Sequence, residues 1–204
     1  MTQKMLDKAY GLESAEATKS FYDEWAASYD QEVSDNGYAT PKRCADALAK
    51  FAEDKDAPLL DVGCGTGISG AALASAGFSN LDGCDFSPEM LNAAQGKQVY
   101  SKLITTNLED PFPFEPGTYT NIAAIGVLNP GHAPATTLDD ILALLSQNGL
   151  FVFSLNDHAL SDRSYEARLN ENVDCGTAAL LFREYGPHLP KIDLKSNVYV
   201  LKKL

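Results

Sequence analysis

One feature constrains this chain more than any other: the apolar run Leu59-Leu60-Asp61-Val62 breaks directly into Gly63-Cys64-Gly65-Thr66-Gly67. A short apolar run bounded by a turn reads as a buried strand. The glycines permit positive φ and let a ligand lie against bare backbone. A helix is expected from about Ile68 to Ala76, with Gly77 ending it. In an open α/β sheet, ligands bind beyond the carboxyl ends of the strands, and the helix after the turn adds unpaired N–H groups.

The rest of the chain repeats the alternation. Strands are expected over 80–85, 101–105, 121–125 and 149–155, with helices starting at Ser87 and covering 138–146 and 162–170. Ser87 suits an N-cap, with Pro88 at the first helical position. The proline-rich stretch 111–117 is a rigid loop, and two closing strands fall near 178–183 and 197–202. This pattern predicts an α/β fold: a Rossmann-like, doubly wound, mostly parallel seven-stranded sheet with an antiparallel C-terminal addition. Ahead of it, the spacing of Ala17, Phe21, Tyr22, Trp25 and Tyr29 predicts a helix over 14–30. Ser34-Asp35-Asn36-Gly37 is a turn signal, and Pro41 starts a second helix reaching about Phe51. No linker separates these helices. We expect a single domain over 1–204, with 1–55 as an N-terminal helical cap and 56–204 as the Rossmann-like core.

The chain has 204 residues, enough for one domain with a full core. Its 16 Lys and Arg stand against 28 Asp and Glu, a net charge of −12. Such a field repels phosphate backbones, so the expectation is no nucleic-acid partner. No apolar run is long enough to span a bilayer, and no signal-peptide core follows Met1, so the expectation is no membrane and a cytoplasmic location. Cys44, Cys64, Cys84 and Cys175 form no zinc spacing, and no metal is expected.

The glycine loop admits two cofactors. Gly65-Thr66-Gly67-Ile68-Ser69-Gly70 fits GxGxxG, the dinucleotide pattern. Against it, Gly63 gives the tighter GxGxG one step earlier. Asp61, just before the glycines, suits an ammonium group and would oppose a pyrophosphate. Asp85 lies 22 residues after Gly63, at the end of the second strand, where it can accept from both ribose hydroxyls. Phe86 and Met90 can pack near an adenine. Asn107, at the third strand's end, can read the adenine amino edge, with the backbone of Leu108 completing the contact; the same Asn also suits a turn.

At this point 59–67 and Gly83-Cys84-Asp85-Phe86-Ser87-Pro88-Glu89-Met90-Leu91 resemble the first and second motifs of class I S-adenosylmethionine-dependent methyltransferases. Phe21 to Asp30 resembles the N-terminal helix of the small-molecule enzymes. The segments 182–185 and 197–201 are similar to the final hairpin of the methyltransferase-like group related to the Williams–Beuren region protein. The resemblance implies that Gly63, Gly65 and Gly67 surround the methionine part of S-adenosylmethionine, that Asp85 holds the ribose, and that Asn107 with Leu108 touches the adenine. In one departure, the fourth strand opens Tyr119-Thr120-Asn121, where relatives often carry an acid after an aromatic residue. The implied reaction is in-line SN2 methyl transfer to a small-molecule acceptor. Proximity and alignment supply much of such a rate, so an absent base does not argue against activity.

Further candidates follow. Tyr22, Trp25 and Tyr29 fit a lid over the cofactor, or simple packing; Tyr29 is assigned to the cofactor, Tyr22 and Trp25 to the substrate pocket. Asn129-Pro130-Gly131-His132 follows the fourth strand near the transferable methyl. Asn129 is assigned to substrate, and His132 is either a general base or a solvated loop histidine. Gly126 allows close approach of the methionine end. Two other readings stay open: a non-catalytic cofactor-binding or regulatory protein, and a nicotinamide-dependent oxidoreductase resting on Gly65 to Gly70 alone.

Overall fold

The structure, a computed structural model, describes residues 15–106 and 110–204. Two helices come first, α1 (Ala15–Asp35) and α2 (Thr40–Ala49). There follow β1 (Leu59–Val62), α3 (Ile68–Ser75), β2 (Leu81–Asp85), α4 (Pro88–Gln95), β3 (Tyr100–Thr105) and β4 (Tyr119–Ala124). The last part holds α5 (Thr137–Leu144), β5 (Leu145–Asn156), α6 (Asp157–Ser161), α7 (Arg163–Asp174), β6 (Ala178–Leu189) and β7 (Leu194–Lys203). The sheet has seven strands in the order β3-β2-β1-β4-β5-β7-β6. β1 to β5 run parallel, and β7 is antiparallel to both β5 and β6. The strand order reverses between β1 and β4, so a crevice opens above their carboxyl ends.

Alternation along the strands divides the core into two faces. Leu59, Val152, Val198 and Val200 pack with Cys44 and Leu48 of α2 and Leu73 of α3. Leu60, Phe151, Phe153, Tyr199 and Leu201 pack on the other face with Leu138 and Ile141 of α5 and Leu169 of α7. Within the expected cap, residues 1–14 lie outside the described residues, and α2 packs on the sheet with Thr40, Cys44, Ala45 and Leu48 buried, while α1 packs against α4.

Two further differences bear on the site. α1 continues to Asp35, five residues past its expected end, and the turn is made by Gly37 at φ +78°. β6 runs to Leu189 rather than stopping at Arg183, passing through Gly186 and Pro187. Proline is tolerated there because β6 is the sheet edge, where a missing N–H breaks no inner ladder. That extension carries His188 back to the strand ends. α6 was not expected; the Asn156 side chain caps it by accepting from the Ala159 amide at 3.0 Å. Among the described residues, no helix is long and apolar enough to cross a membrane.

Candidate active site

The three glycines after β1 all have positive φ, but for different reasons. A Cβ at Gly63 would collide with the Val127 side chain, and one at Gly67 would sit 2.9 Å from Lys97 Cγ. A Cβ at Gly65 would meet no described residue within 4 Å. Gly63 and Gly67 are thus held by packing, while Gly65 bares its backbone to open space. Gly70, the last glycine of the dinucleotide pattern, has its own explanation. A Cβ there would lie 2.8 Å from Tyr100 Cε1, and its amide donates to Tyr100 Oη at 3.1 Å.

Two buried carboxyls flank the loop. Asp85 Oδ2 accepts from the Gly65 amide at 2.8 Å, and Oδ1 accepts from the Ser87 amide at 3.0 Å. On β1, Asp61 is wholly buried; its Oδ2 accepts from Ser69 Oγ at 2.6 Å and Tyr100 Oη at 2.7 Å. Burial pushes both carboxyls up to about 6, against the opposing pull of those hydrogen bonds. Asp61 Oδ1 has no hydrogen-bond partner among the described residues. A buried carboxylate oxygen left bare is costly, and a cationic donor from a ligand would satisfy it. This orphaned oxygen and the open space at Gly65 fit an ammonium-bearing ligand laid along the loop.

The other expected cofactor residues divide. Phe86 stands edge-on to Tyr22, ring centroids 5.9 Å apart. Met90 is buried in α4, and its amide donates to Ser87 Oγ at 3.1 Å. Asn107 and Leu108 lie outside the described residues. The strand that leads to them reaches the site, since the Thr106 amide donates to the Asp85 carbonyl at 2.9 Å.

α1 crosses above these strand ends and is tied down along its length. Thr18 Oγ1 donates to the Gly131 carbonyl at 3.0 Å, and Tyr22 Oη lies 2.6 Å from His132 Nε2. Ser87 Oγ donates to Asp23 at 2.5 Å. Asp30 accepts from Thr66 and pairs with Lys97. Tyr22, Trp25 and Tyr29 form one aromatic cluster, with the Trp25 and Tyr29 centroids 4.8 Å apart. Trp25 is buried and donates to Glu32 at 2.8 Å. His132 is half-buried, and burial lowers its pKa, which disfavours the charged ring.

Behind this cluster lies a cavity of about 40 Å³, lined in part by Tyr38, Gly126, Asn129, His132, Asn156 and His188. A Cβ at Gly126, the glycine expected to allow close approach of the methionine end, would sit 2.6 Å from Tyr38 Oη. Asn129 is buried, and its Oδ1 has no partner among the described residues. Tyr38, Asn156 and His188 join the candidate residues here, and no motif surrounds His188 in the sequence. Asn156 alone carried a local signal, an Asn-Asp pair closing a strong strand.

A family model described as a methyltransferase domain matches residues 37–196. The chain is 32% identical over 169 residues to human methyltransferase-like protein 27, covering 81% of this chain and 68% of that one. It is 37% identical over 76 residues to the bovine 18S rRNA (guanine-N(7))-methyltransferase, covering 37% of this chain and 27% of that one. Among solved structures, magnesium protoporphyrin IX methyltransferase from Synechocystis, with bound SAH, superposes with a TM-score of 0.69 at 14% identity, covering 94% of this chain and all of that one. The rRNA relative overturns the expectation of a small-molecule acceptor with nucleic acid excluded. Net charge sums a whole surface, whereas phosphate contact depends on a local patch or a partner, so −12 does not decide the acceptor. The nicotinamide reading is replaced by S-adenosylmethionine, the cofactor of this fold family.

Proposed function

We propose, since this chain belongs to the S-adenosylmethionine-dependent methyltransferases, that it methylates a nucleophilic oxygen or nitrogen on the edge of a flat ring held beneath α1. The observation that carries this reading is the Tyr22–His132 pair at 2.6 Å, set within the Tyr22, Trp25, Tyr29 and Phe86 rings. Flat rings pack well against such a cluster. When bound, S-adenosylmethionine supplies an electrophilic methyl group. The bare Oδ1 of Asp61 would face its ammonium group, and Asp85 would hold the ribose hydroxyls through lone pairs left by Gly65 and Ser87.

The chain's own residues supply positioning and a route for the proton. His132 Nδ1 faces the Pro130 carbonyl at 3.5 Å, which favours hydrogen on Nδ1 and leaves Nε2 to accept from Tyr22 Oη. An acceptor X–H bonded to Tyr22 Oη can then release its proton to that oxygen, while the tyrosine proton passes to His132. The aromatic cover excludes water from the transfer.

The test uses labelled S-adenosylmethionine with phenols, N-heteroaromatic metabolites, an 18S rRNA fragment, and ring-free aliphatic amines and carboxylic acids as separate arms. Label should enter ring-bearing acceptors in at least one arm. With that acceptor, His132→Ala should lower kcat by about 100-fold and leave S-adenosylhomocysteine affinity unchanged. Incorporation only into acceptors without a ring, or a fully active His132→Ala, would sink the reading.

A further inference from the structure

The cavity beside His132 is too small for a whole acceptor. At about 40 Å³ it holds two or three water-sized groups, so it can receive one polar edge of a larger molecule. Its lining defines what that edge must be. Asn129 Oδ1, on a side chain 4% exposed, is an acceptor with no donor among the described residues.

A second polar group of the same lining, His188, comes from the far end of the chain. His188 Nδ1 lies 2.8 Å from Thr40 Oγ1, which lies 3.0 Å from Ser196 Oγ. Arg43 Nη1 donates to Ser196 Oγ at 3.1 Å and can only donate. One arrangement gives every buried hydroxyl proton an acceptor: Ser196 donates to Thr40, and Thr40 donates to His188 Nδ1. The reverse direction leaves the Ser196 proton with no acceptor among these groups. Nδ1 is then the accepting nitrogen and hydrogen sits on Nε2, the ring nitrogen with no hydrogen-bond partner among the described residues. Tyr38 packs edge-on against this imidazole at 5.1 Å and fixes its plane. The histidine is uncharged at neutral pH because burial holds it down at about 4. Among the described residues, no carboxylate, lysine or arginine lines the cavity.

We infer that Asn129 and His188 form an acceptor-reading subsite for a neutral edge that both donates and accepts a hydrogen bond, a lactam N–H beside its C=O. This rests on the methyltransferase reading above and narrows it to rings whose nucleophilic atom lies near such an edge. His188 acts as a specificity residue, and Thr40 positions it through the tautomer. A charged edge is refused, since no described residue of the lining would compensate it.

The test uses the chain loaded with S-adenosylhomocysteine and three probes of similar size: 2-pyridone for the lactam edge, toluene for shape alone, and benzoate for charge. Ligand-observed NMR should show 2-pyridone binding well above the other two. Asn129→Leu and His188→Phe should each weaken it about five- to tenfold, with S-adenosylhomocysteine affinity held within about twofold. Nitrogen-15 shifts of His188 should report hydrogen on Nε2 in the wild type, and a mixed tautomer in the near-isosteric Thr40→Val, which does not enter the cavity. Equal binding of 2-pyridone and toluene, indifference of 2-pyridone to both cavity variants, or a wild-type His188 with hydrogen on Nδ1 would each overturn the inference. Failure to bind S-adenosylhomocysteine at all would instead strike the methyltransferase reading.

Discussion

The two halves of the crevice are built by opposite means. On the β1–β2 side, the groups that meet are mostly close in sequence: Asp61 with Ser69, Asp85 with Ser87, and Gly65 with Asp85 across neighbouring strands. On the β4–β5 side the contacts span most of the chain. Tyr22 meets His132, Thr18 meets Gly131, and Thr40 meets His188. The first side depends on backbone geometry and buried carboxyls. The second depends on side chains brought in by α1 and by the β6–β7 hairpin. Substitutions should therefore fail differently on the two sides, which makes the contrast testable.

The largest effect belongs to the loop. Gly63→Ala adds a left-handed φ penalty to a clash with Val127, together costing about 3 kcal/mol. Calorimetry should show Tm falling by about 10 °C and S-adenosylhomocysteine binding lost. Gly65→Ala bears the same φ strain but meets open space, so its Tm should fall much less while binding drops at least about tenfold. Equal Tm losses in the two variants would remove the distinction between a packed glycine and a bared one.

Arg43→Met comes next, on the other side. Nη1 and Nη2 donate to the carbonyls of Pro187, Ser196 and Glu184, tying α2 to the hairpin that carries His188. Losing these bonds should cost about 2 kcal/mol and lower Tm by several degrees. Cofactor affinity should not change, because no Arg43 contact reaches the glycine loop. A fall in S-adenosylhomocysteine affinity comparable to that of Gly65→Ala would show the halves to be coupled.

This asymmetry also explains what could be read from sequence. The strand, glycine turn, Asp85 and the Ser87 cap are local signals, and they sit where the spacing puts them. His188 carried no such signal, because it reaches the site only through a strand that continues past Pro187 at an exposed sheet edge. Tyr38 and Thr40 are likewise ordinary residues until the chain folds them against positions far along it. α2 shows the same limit. Its pattern of Cys44, Ala45 and Leu48 specifies a buried face, but only the tertiary fold says that the sheet buries it.

The buried carboxyls give the cofactor side a pH signature near pH 6, whereas burial holds His188 on the other side down at about 4. Asp61 and Asp85 are raised by burial to about 6 from 3.8. A folded value above the unfolded one means their charged forms cost stability, a cost absent below about 4 and complete above about 6. Ligand binding runs the other way, since an ammonium and ribose hydroxyls both prefer the carboxylate. S-adenosylhomocysteine affinity should thus fall as pH drops through 6, by up to about tenfold per unit for each carboxyl. Titration calorimetry from pH 5 to 8 checks this, and Asp85→Asn should flatten part of the slope. A pH-independent affinity would mean that neither carboxyl touches the ligand.

The smallest effect tests whether the halves share a moving part. Asp30 on α1 accepts from Thr66 in the glycine loop and pairs with Lys97 beyond α4. Both charges are partly exposed, Lys97 at 32% and Asp30 at 42%, so solvent screens the pair and its worth is at most about 1 kcal/mol. Asp30→Asn keeps an acceptor for Thr66 and removes only the charge. If α1 must lift to release the ligand, stopped-flow dissociation of S-adenosylhomocysteine should quicken about two- to threefold at low salt. The difference should vanish near about 0.5 M salt, where screening reaches within a few ångströms. An off-rate unchanged at low salt would mean that the Asp30–Lys97 pair does not hold α1 closed, leaving Tyr22–His132 and Thr18–Gly131, on the acceptor side, as the contacts that do.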